Sequence, residues 1–272
     1  ENPVIRDLEP FHNFSEVICS QPGDETPPCT PPDPIAHNPP DCEKYLVEPG
    51  HCNDNEFANT IKWSRPESEC GNDIAYYHIY FSPTTNGEFR VLTDQDLDPI
   101  QVKDTFFVHE NLTSFAGCYK ISAVDRSGNE SEQTEAICFD NCPYYELPNF
   151  FTPNGDANNC NNVFSAYSNK ERYQTGFSEG QPLYACGGIS DERKCARFVQ
   201  KVKIVVYNRW GKEVYSYESG GDKSIYIDWN GRAADGSDLA SGIYYYMAEV
   251  TFYRVDPSKA NETLKGWVQL VR

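Results

Sequence analysis

The sequence predicts an all-β chain, on three observations. Aromatic residues make up 14% of the 272 residues, with 18 Tyr against a single Met, and Tyr, Phe, Val, Ile and Thr fit pleated, half-buried surfaces. The chain is punctuated by 19 Pro and 18 Gly, the residues that end strands and make turns. Apolar residues come in short alternating runs, and no 3.6-residue period extends over four turns. A net charge of −18 repels phosphate backbones, so nucleic acid is not an expected partner. The acidity reads first as solubility; cation binding at Asp/Asn loops is the sharper reading. No apolar run approaches the roughly 20 residues that span a bilayer. The chain starts at Glu1 with no signal peptide, so it is expected to be part of a longer, processed protein.

Residues 1–41 read as one strand, "NFSEVIC", and then a Pro-rich, extended linker. From Cys42 to Cys142 apolar runs recur: "EKYLVE", "NTIKWSRP", "IAYYHIYFS", "EFRVLTD", "TFFVHENL", "CYKISAVD" and "TEAICFD". In "IAYYHIYFS", Tyr77, Ile79 and Phe81 alternate with Tyr76, His78 and Tyr80. Seven short strands in about 100 residues fit an immunoglobulin-like sandwich. The runs "IKWSRP", "IAYYHIYFS" and "GCYKISAVDRSGNES" resemble a fibronectin type III domain. That resemblance implies that Trp63 is the buried tryptophan of the second strand and Tyr119 the tyrosine near the start of the sixth.

The 11 cysteines include no C-x-x-C pair, which argues for disulfides and an oxidising compartment over a metal cluster. Cys118 and Cys138 lie equally far from Gly128 at the centre of the turn "DRSGNE". Equidistant residues of an antiparallel hairpin face each other, so these two are expected to pair. "SEVIC" and "TEAIC" are similar, so Cys19 reads as the last-strand cysteine of an earlier repeat whose partner lies upstream; chance similarity is the competing reading. Upstream repeats of the same chain are therefore an expected partner. Among Cys160, Cys186 and Cys195 a bond between two is favoured, and the other pairings stay open.

Residues 143–272 read as a second sandwich. Val202, Ile204 and Val206 share one face of "KVKIVVY", the turn "NRWGK" returns the chain into "EVYSYE", "SIYIDWNG" is a further strand, and "SGIYYYMAEVTFYRV" pairs with "TLKGWVQLVR". In that last strand Val268 and Leu270 are expected to face the core and Trp267, Gln269 and Val271 to face outward. The strand is also expected to leave one edge free. The expected architecture is two immunoglobulin-like β-sandwiches in tandem behind a Pro-rich linker, with boundaries at 1–41, 42–142 and 143–272.

Four motifs stand in order: "LPNFFTPNGDANN" (147–159), "VYNRWGKEVY" (206–215), "DWNGRAADGSDLASGIYYY" (228–246) and "KGWVQLVR" (265–272). Together they resemble the gliding-motility-associated C-terminal domain, the type B sorting domain of the type IX secretion system. Two positions depart from that pattern, Ala157 for a glycine and Asn230 for an aspartate. Residues between Asn162 and Arg197 read as an insertion. The resemblance implies a non-enzymatic region of an adhesin-like surface protein of a bacterium. Its implied partners are the type IX translocon and an outer-membrane β-barrel of the PorP/SprF type. The sorting motifs place the partner-binding residues at Thr152, Pro153, Asn154, Gly155, Asp156, Asn208, Arg209, Trp210, Gly211, Lys265, Gly266, Gln269 and Arg272.

The same residues have plainer readings. Asn and Gly take left-handed backbone conformations readily, so "TPNGDANN" makes a compact turn; Asn154, Asp156 and Asn158 also alternate oxygen ligands as Ca²⁺ loops do, without the full EF-hand spacing. Apart from Ca²⁺, no cofactor is expected. Trp210 reads as a packed staple at a hairpin or as a recognition residue. No catalytic frame occurs: the five histidines are scattered, and there is neither a G-x-S-x-G elbow nor a phosphate loop. A carbohydrate- or protein-binding module using "YYHIYF" and "YYY", and the non-catalytic tail of a secreted enzyme, are the alternatives. Asn13, Asn111, Asn129 and Asn261 head N-x-S/T patterns, which are short enough to arise by chance.

Overall fold

The computed structural model describes residues 24–48, 50–154, 161–167 and 195–272. The chain is all-β and forms tandem sandwiches. Strands β1 (Ile35–His37), β2 (Phe57–Lys62) and β5 (Phe106–Leu112) make a three-stranded sheet in the order β1-β2-β5. Strands β3 (Ile74–Ser82), β4 (Arg90–Val91), β6 (Gly117–Asp125) and β7 (Ile137–Phe139) make the facing sheet in the order β4-β3-β6-β7. Alternation places one face of each strand inside, and Ile61, Trp63, Tyr77, Ile79, Tyr119, Ile121 and Phe139 form the core between the sheets. Tyr119 is fully buried; its hydroxyl accepts from Asn59 Nδ2 at 3.1 Å and lies 2.9 Å from His109 Nδ1. Burial pushes its pKa up to about 12.

Two expectations change here. "EKYLVE" is not a strand. Asp41 accepts from the backbone N–H groups of Glu43 and Lys44, and so caps a single helical turn, α1 (Cys42–Tyr45). The first strand comes instead from the Pro-rich stretch, where Ile35–His37 pairs antiparallel with Thr60–Lys62. An edge position suits a strand among prolines, because one side of its backbone needs no ladder. Cys29–Cys70 and Cys42–Cys142 fasten that stretch and α1 to the sandwich, and Cys118–Cys138 joins directly opposed residues of β6 and β7.

The C-terminal half is built on a five-stranded sheet in the order β10-β9-β11-β12-β8. Its strands are β8 (Phe150–Phe151), β9 (Val199–Tyr207), β10 (Glu213–Glu218), β11 (Gly242–Phe252) and β12 (Asn261–Leu270). Even-numbered residues of β11 and β12 point inward: Tyr244, Ala248, Val250, Val268 and Leu270 are buried with Val202, Ile204 and Val206 of β9. Over this face lie extended segments joined by single bridges, Phe164 to Trp229 and Tyr144 to Arg197. "SIYIDWNG" belongs to that layer and is not a regular strand, because Ile227 and Asp228 take positive φ and break the ladder. Trp229 fills the centre, with ring centroids of Tyr215, Phe151, Phe164 and Tyr244 within 6.2 Å, and its Nε1 donates to the Arg232 carbonyl at 2.7 Å. The last strand is not left bare at its end. β8 pairs parallel to it at Gln269 and Leu270.

The two halves touch over a broad contact. Cys52 is bonded to Cys195 across 143 residues. Arg197 Nη2 donates to the Tyr45 hydroxyl and the Asp54 carbonyl, and its guanidinium lies over Phe198 and Phe57. The buried Asn141 accepts from Phe115 and Ala116 N–H and donates to the Tyr253 carbonyl. Asp140 accepts from Val255 N–H and pairs with Arg254 at 3.0 Å. Cys195 is taken by Cys52, so the expected bond among Cys160, Cys186 and Cys195 does not involve Cys195. Cys160 and Cys186, like Cys19, lie outside the described residues.

Candidate functional site

Register decides where the four motifs sit. β9 ends at Tyr207, opposite Tyr245 near the start of β11, and β12 ends at Leu270, opposite Gly242, the first residue of β11. β8 runs parallel to the end of β12. The turns that leave β8 and β9, the loop that enters β11 and the last residues of β12 therefore all emerge at one end of the sheet, on strands about 4.8 Å apart.

The tip of the β9–β10 hairpin is held by Asn208. Its Oδ1 accepts from Trp210 and Lys212 N–H, both at 3.0 Å, and Gly211 supplies the positive φ that closes the turn. Trp210 is not a packed staple. It is 74% exposed, with the Arg209 guanidinium 4.1 Å above its ring. A large aromatic held in the open at a rigid tip is suited to recognition, and the stacked arginine keeps its orientation.

The loop 229–241 is tied to the chain's last residue. Arg272 Nε donates to the Leu239 carbonyl, Nη2 donates to the Gly231 carbonyl and lies 3.1 Å from Asp238 Oδ1, and its N–H donates to Ser241 Oγ. Arg232 reaches the same Asp238 oxygen at 3.1 Å. Arg272 is thus a clamp between the last strand and the loop. Hydrogen bonds from the Ser237 hydroxyl and N–H hold the Asp235 carboxyl below its usual range. Gly231 is required twice over. Its φ is +78°, and a Cβ there would lie 2.4 Å from Leu270 Cδ1. Gly231→Ala is therefore expected to cost about 1–3 kcal/mol, read from the midpoint of urea unfolding; an unchanged midpoint would refute this packing.

In the last motif Gly266 lies opposite Tyr246, whose hydroxyl and ring pass within 2.6 Å of where a Cβ would stand. The glycine makes room for that ring. Lys265 and Gln269 are exposed on the outer face beside Trp267, Tyr245 and Ile243. On the first motif, Thr152 N–H donates to the Asn161 carbonyl at 2.6 Å, and Asn154 N–H to the Thr152 carbonyl at 2.8 Å. Thr152 and Pro153 are half-buried and Asn154 is exposed. Gly155, Asp156 and Asn158 lie outside the described residues, and with them most of the proposed Ca²⁺ ligand set.

Sequence reasoning missed three residues: Trp229 at the centre of this half's core, and Arg197 and Asn141 at the contact between the halves. Trp229 was hidden by its turn-like neighbours Asn230 and Gly231. Arg197 and Asn141 act across the chain, and nothing local marks them. No helix among the described residues is long and apolar enough to cross a membrane.

Residues 188–270 match the CHU_C Type IX secretion signal domain. No curated protein matches the sequence. Among solved structures the chain is similar to titin module A71 from human cardiac muscle, at 19% identity and a TM-score of 0.29, over 41% of this chain and 88% of that one. It is also similar to the FN1–FN3 domains of chicken CNTN1, at 12% identity and a TM-score of 0.31, over 91% of this chain and 68% of that one. A third is a tetra-tandem repeat in the extending region of a large adhesion protein, at 10% identity and a TM-score of 0.31, over 79% and 45%. Four ordered motifs, their meeting at one sheet end and the match over 188–270 identify a CHU_C type IX secretion signal domain within this chain.

Proposed function

We propose that the sheet end carrying the four motifs is the surface by which the type IX machinery recognises this chain. The signal domain means handling by that system and a destination at the cell surface or beyond it. The observation that carries the finer reading is the convergence of the Asn208–Gly211 hairpin tip, the loop around Gly231 and the end of β12 at Arg272. Trp210, Arg209, Lys265 and Gln269 supply exposed contacts, while Gly231, Gly266 and Arg272 hold the backbone that presents them. The receptor is an outer-membrane β-barrel of the PorP/SprF type. Residues 143–272 act as the address, and the sandwich before them, which takes in the strand at Ile35, serves as a stalk for an adhesin-like protein with no catalytic role of its own.

The test separates recognition from folding. Arg209→Ala with Trp210→Ala removes the exposed tip without touching a buried contact, so the melting temperature should stay within about 2 °C of the parent. Pull-down of the barrel receptor should fall at least about tenfold, the scale of one hot-spot residue. Full binding by the doubly altered chain would remove the hairpin tip from the proposed surface.

A further inference from the structure

The contact between the two halves contains a third side chain beside its disulfide. His51 is 2% exposed, and its Nδ1 lies 2.9 Å from the Glu48 carbonyl, which places the proton on Nδ1 and leaves the lone pair on Nε2. That lone pair faces the two sulfurs, 3.6 Å from Cys52 Sγ and 3.4 Å from Cys195 Sγ. Cys195 is buried and Cys52 half-buried. One nitrogen and two sulfurs lie within 4.8 Å of one another.

These distances have a chemical meaning. A tetrahedral Zn²⁺ bound at about 2.1 Å to nitrogen and about 2.3 Å to sulfur sets its N···S edges at about 3.6 Å and its S···S edge at about 3.8 Å. The two N···S distances, 3.6 and 3.4 Å, are close to that length. Only the two sulfurs, bonded here, need to part. The Nδ1–H to carbonyl hydrogen bond is the outer-shell arrangement that orients a ligating histidine. The ligands come from both halves of the chain, Cys52 and His51 from one and Cys195 from the other.

We propose that His51, Cys52 and Cys195 form a Zn²⁺ site whenever the disulfide is open, so that the same residues join the halves in either redox state. Opening requires a dithiol reductant. Its thiolate attacks Cys52 Sγ, the Cys52–Cys195 bond breaks, and the electron pair leaves on Cys195 Sγ. The reductant's second thiol then closes its own disulfide and releases the Cys52 thiolate. Two electrons have passed from dithiol to protein. The dithiol's two protons pass to solvent, and Zn²⁺ binds the two thiolates and accepts the Nε2 lone pair. Its fourth position is left to water, which reaches the half-buried Cys52 side.

The test uses the full chain, reduced with a dithiol under anaerobic conditions and titrated with Co²⁺ as a spectroscopic stand-in for Zn²⁺. The parent should bind one equivalent, with the thiolate-to-metal charge-transfer and intense visible bands of a tetrahedral site. After Zn²⁺ loading, Cys52 and Cys195 should resist alkylation while Cys29 and Cys70 react. His51→Ala should weaken Co²⁺ binding by more than the roughly 100-fold that loss of an outer-shell partner can cost. His51→Cys, which restores a ligand, should bind again. Absence of the tetrahedral spectrum in the reduced parent, protection of other cysteines instead, or equal binding by His51→Ala would each overturn the proposal.

Discussion

Trp229→Ala is expected to strip the C-terminal half of a large share of its stability. Trp229 is 1% exposed and lies among Phe151, Phe164, Tyr215 and Tyr244, one ring from each surrounding segment. Truncating a buried aromatic of this size costs about 3–5 kcal/mol through lost burial and the cavity left behind. Removing Nε1 also leaves the Arg232 carbonyl without its donor, in the loop that Arg272 clamps. Against a total of about 5–15 kcal/mol, that loss removes a large share of the domain's stability. Denaturant unfolding should show the drop in midpoint, with Trp229→Phe intermediate. A loss under about 1 kcal/mol for the alanine variant would mean that Trp229 is not the centre of this core.

The second large effect concerns the contact between the halves. Replacing both Cys52 and Cys195 by Ala removes a cross-link that closes 143 residues. On the chain-entropy account a loop of that size is worth about 5 kcal/mol, an upper figure because unfolded chains retain structure. Each half has its own core, Ile61–Tyr119–Phe139 in one and Val206–Trp229–Leu270 in the other, so neither should collapse when the link is cut. The contacts that remain include Asp140 with Arg254 and Val255, Asn141 with Tyr253, and Arg197 with Tyr45 and Asp54. Calorimetry should therefore show the single transition of the parent replaced by two, the lower at a reduced temperature. One unshifted transition would show that the link does not couple the halves.

Strands that alternate strictly were legible in the sequence. Tyr77 and Ile79 face in while Tyr76, His78 and Tyr80 are less buried, and Val268 and Leu270 face the core while Trp267 and Gln269 face out, because a period of two leaves one choice once a face is apolar. The failures share a cause. "EKYLVE" has strand-like residues, but Asp41 just before it caps a helical turn, and over four residues a cap outweighs β-propensity. "SIYIDWNG" reads as a strand until Ile227 and Asp228 adopt positive φ, which no pattern announces. Cys52–Cys195 could not be deduced, since spacing carries no information on a pair brought together by a contact between sandwiches. At the candidate site the four motifs were visible as strings, but their meeting at one sheet end required register, which only the paired strands provide.

The signal domain gives this chain its own address for the type IX system. Residues 1–272 fused to an exported reporter, and expressed in a bacterium possessing that system, put the claim to a direct measurement: digestion of the reporter by protease added to intact cells. Keeping the whole chain preserves the contact between its halves. The reporter should be digested in the parent strain and protected in a strain lacking the translocon, and protected again when β12 is removed by deleting residues 261–272. Protection of the parental fusion inside the periplasm of cells whose machinery still exports its own substrates would contradict the account.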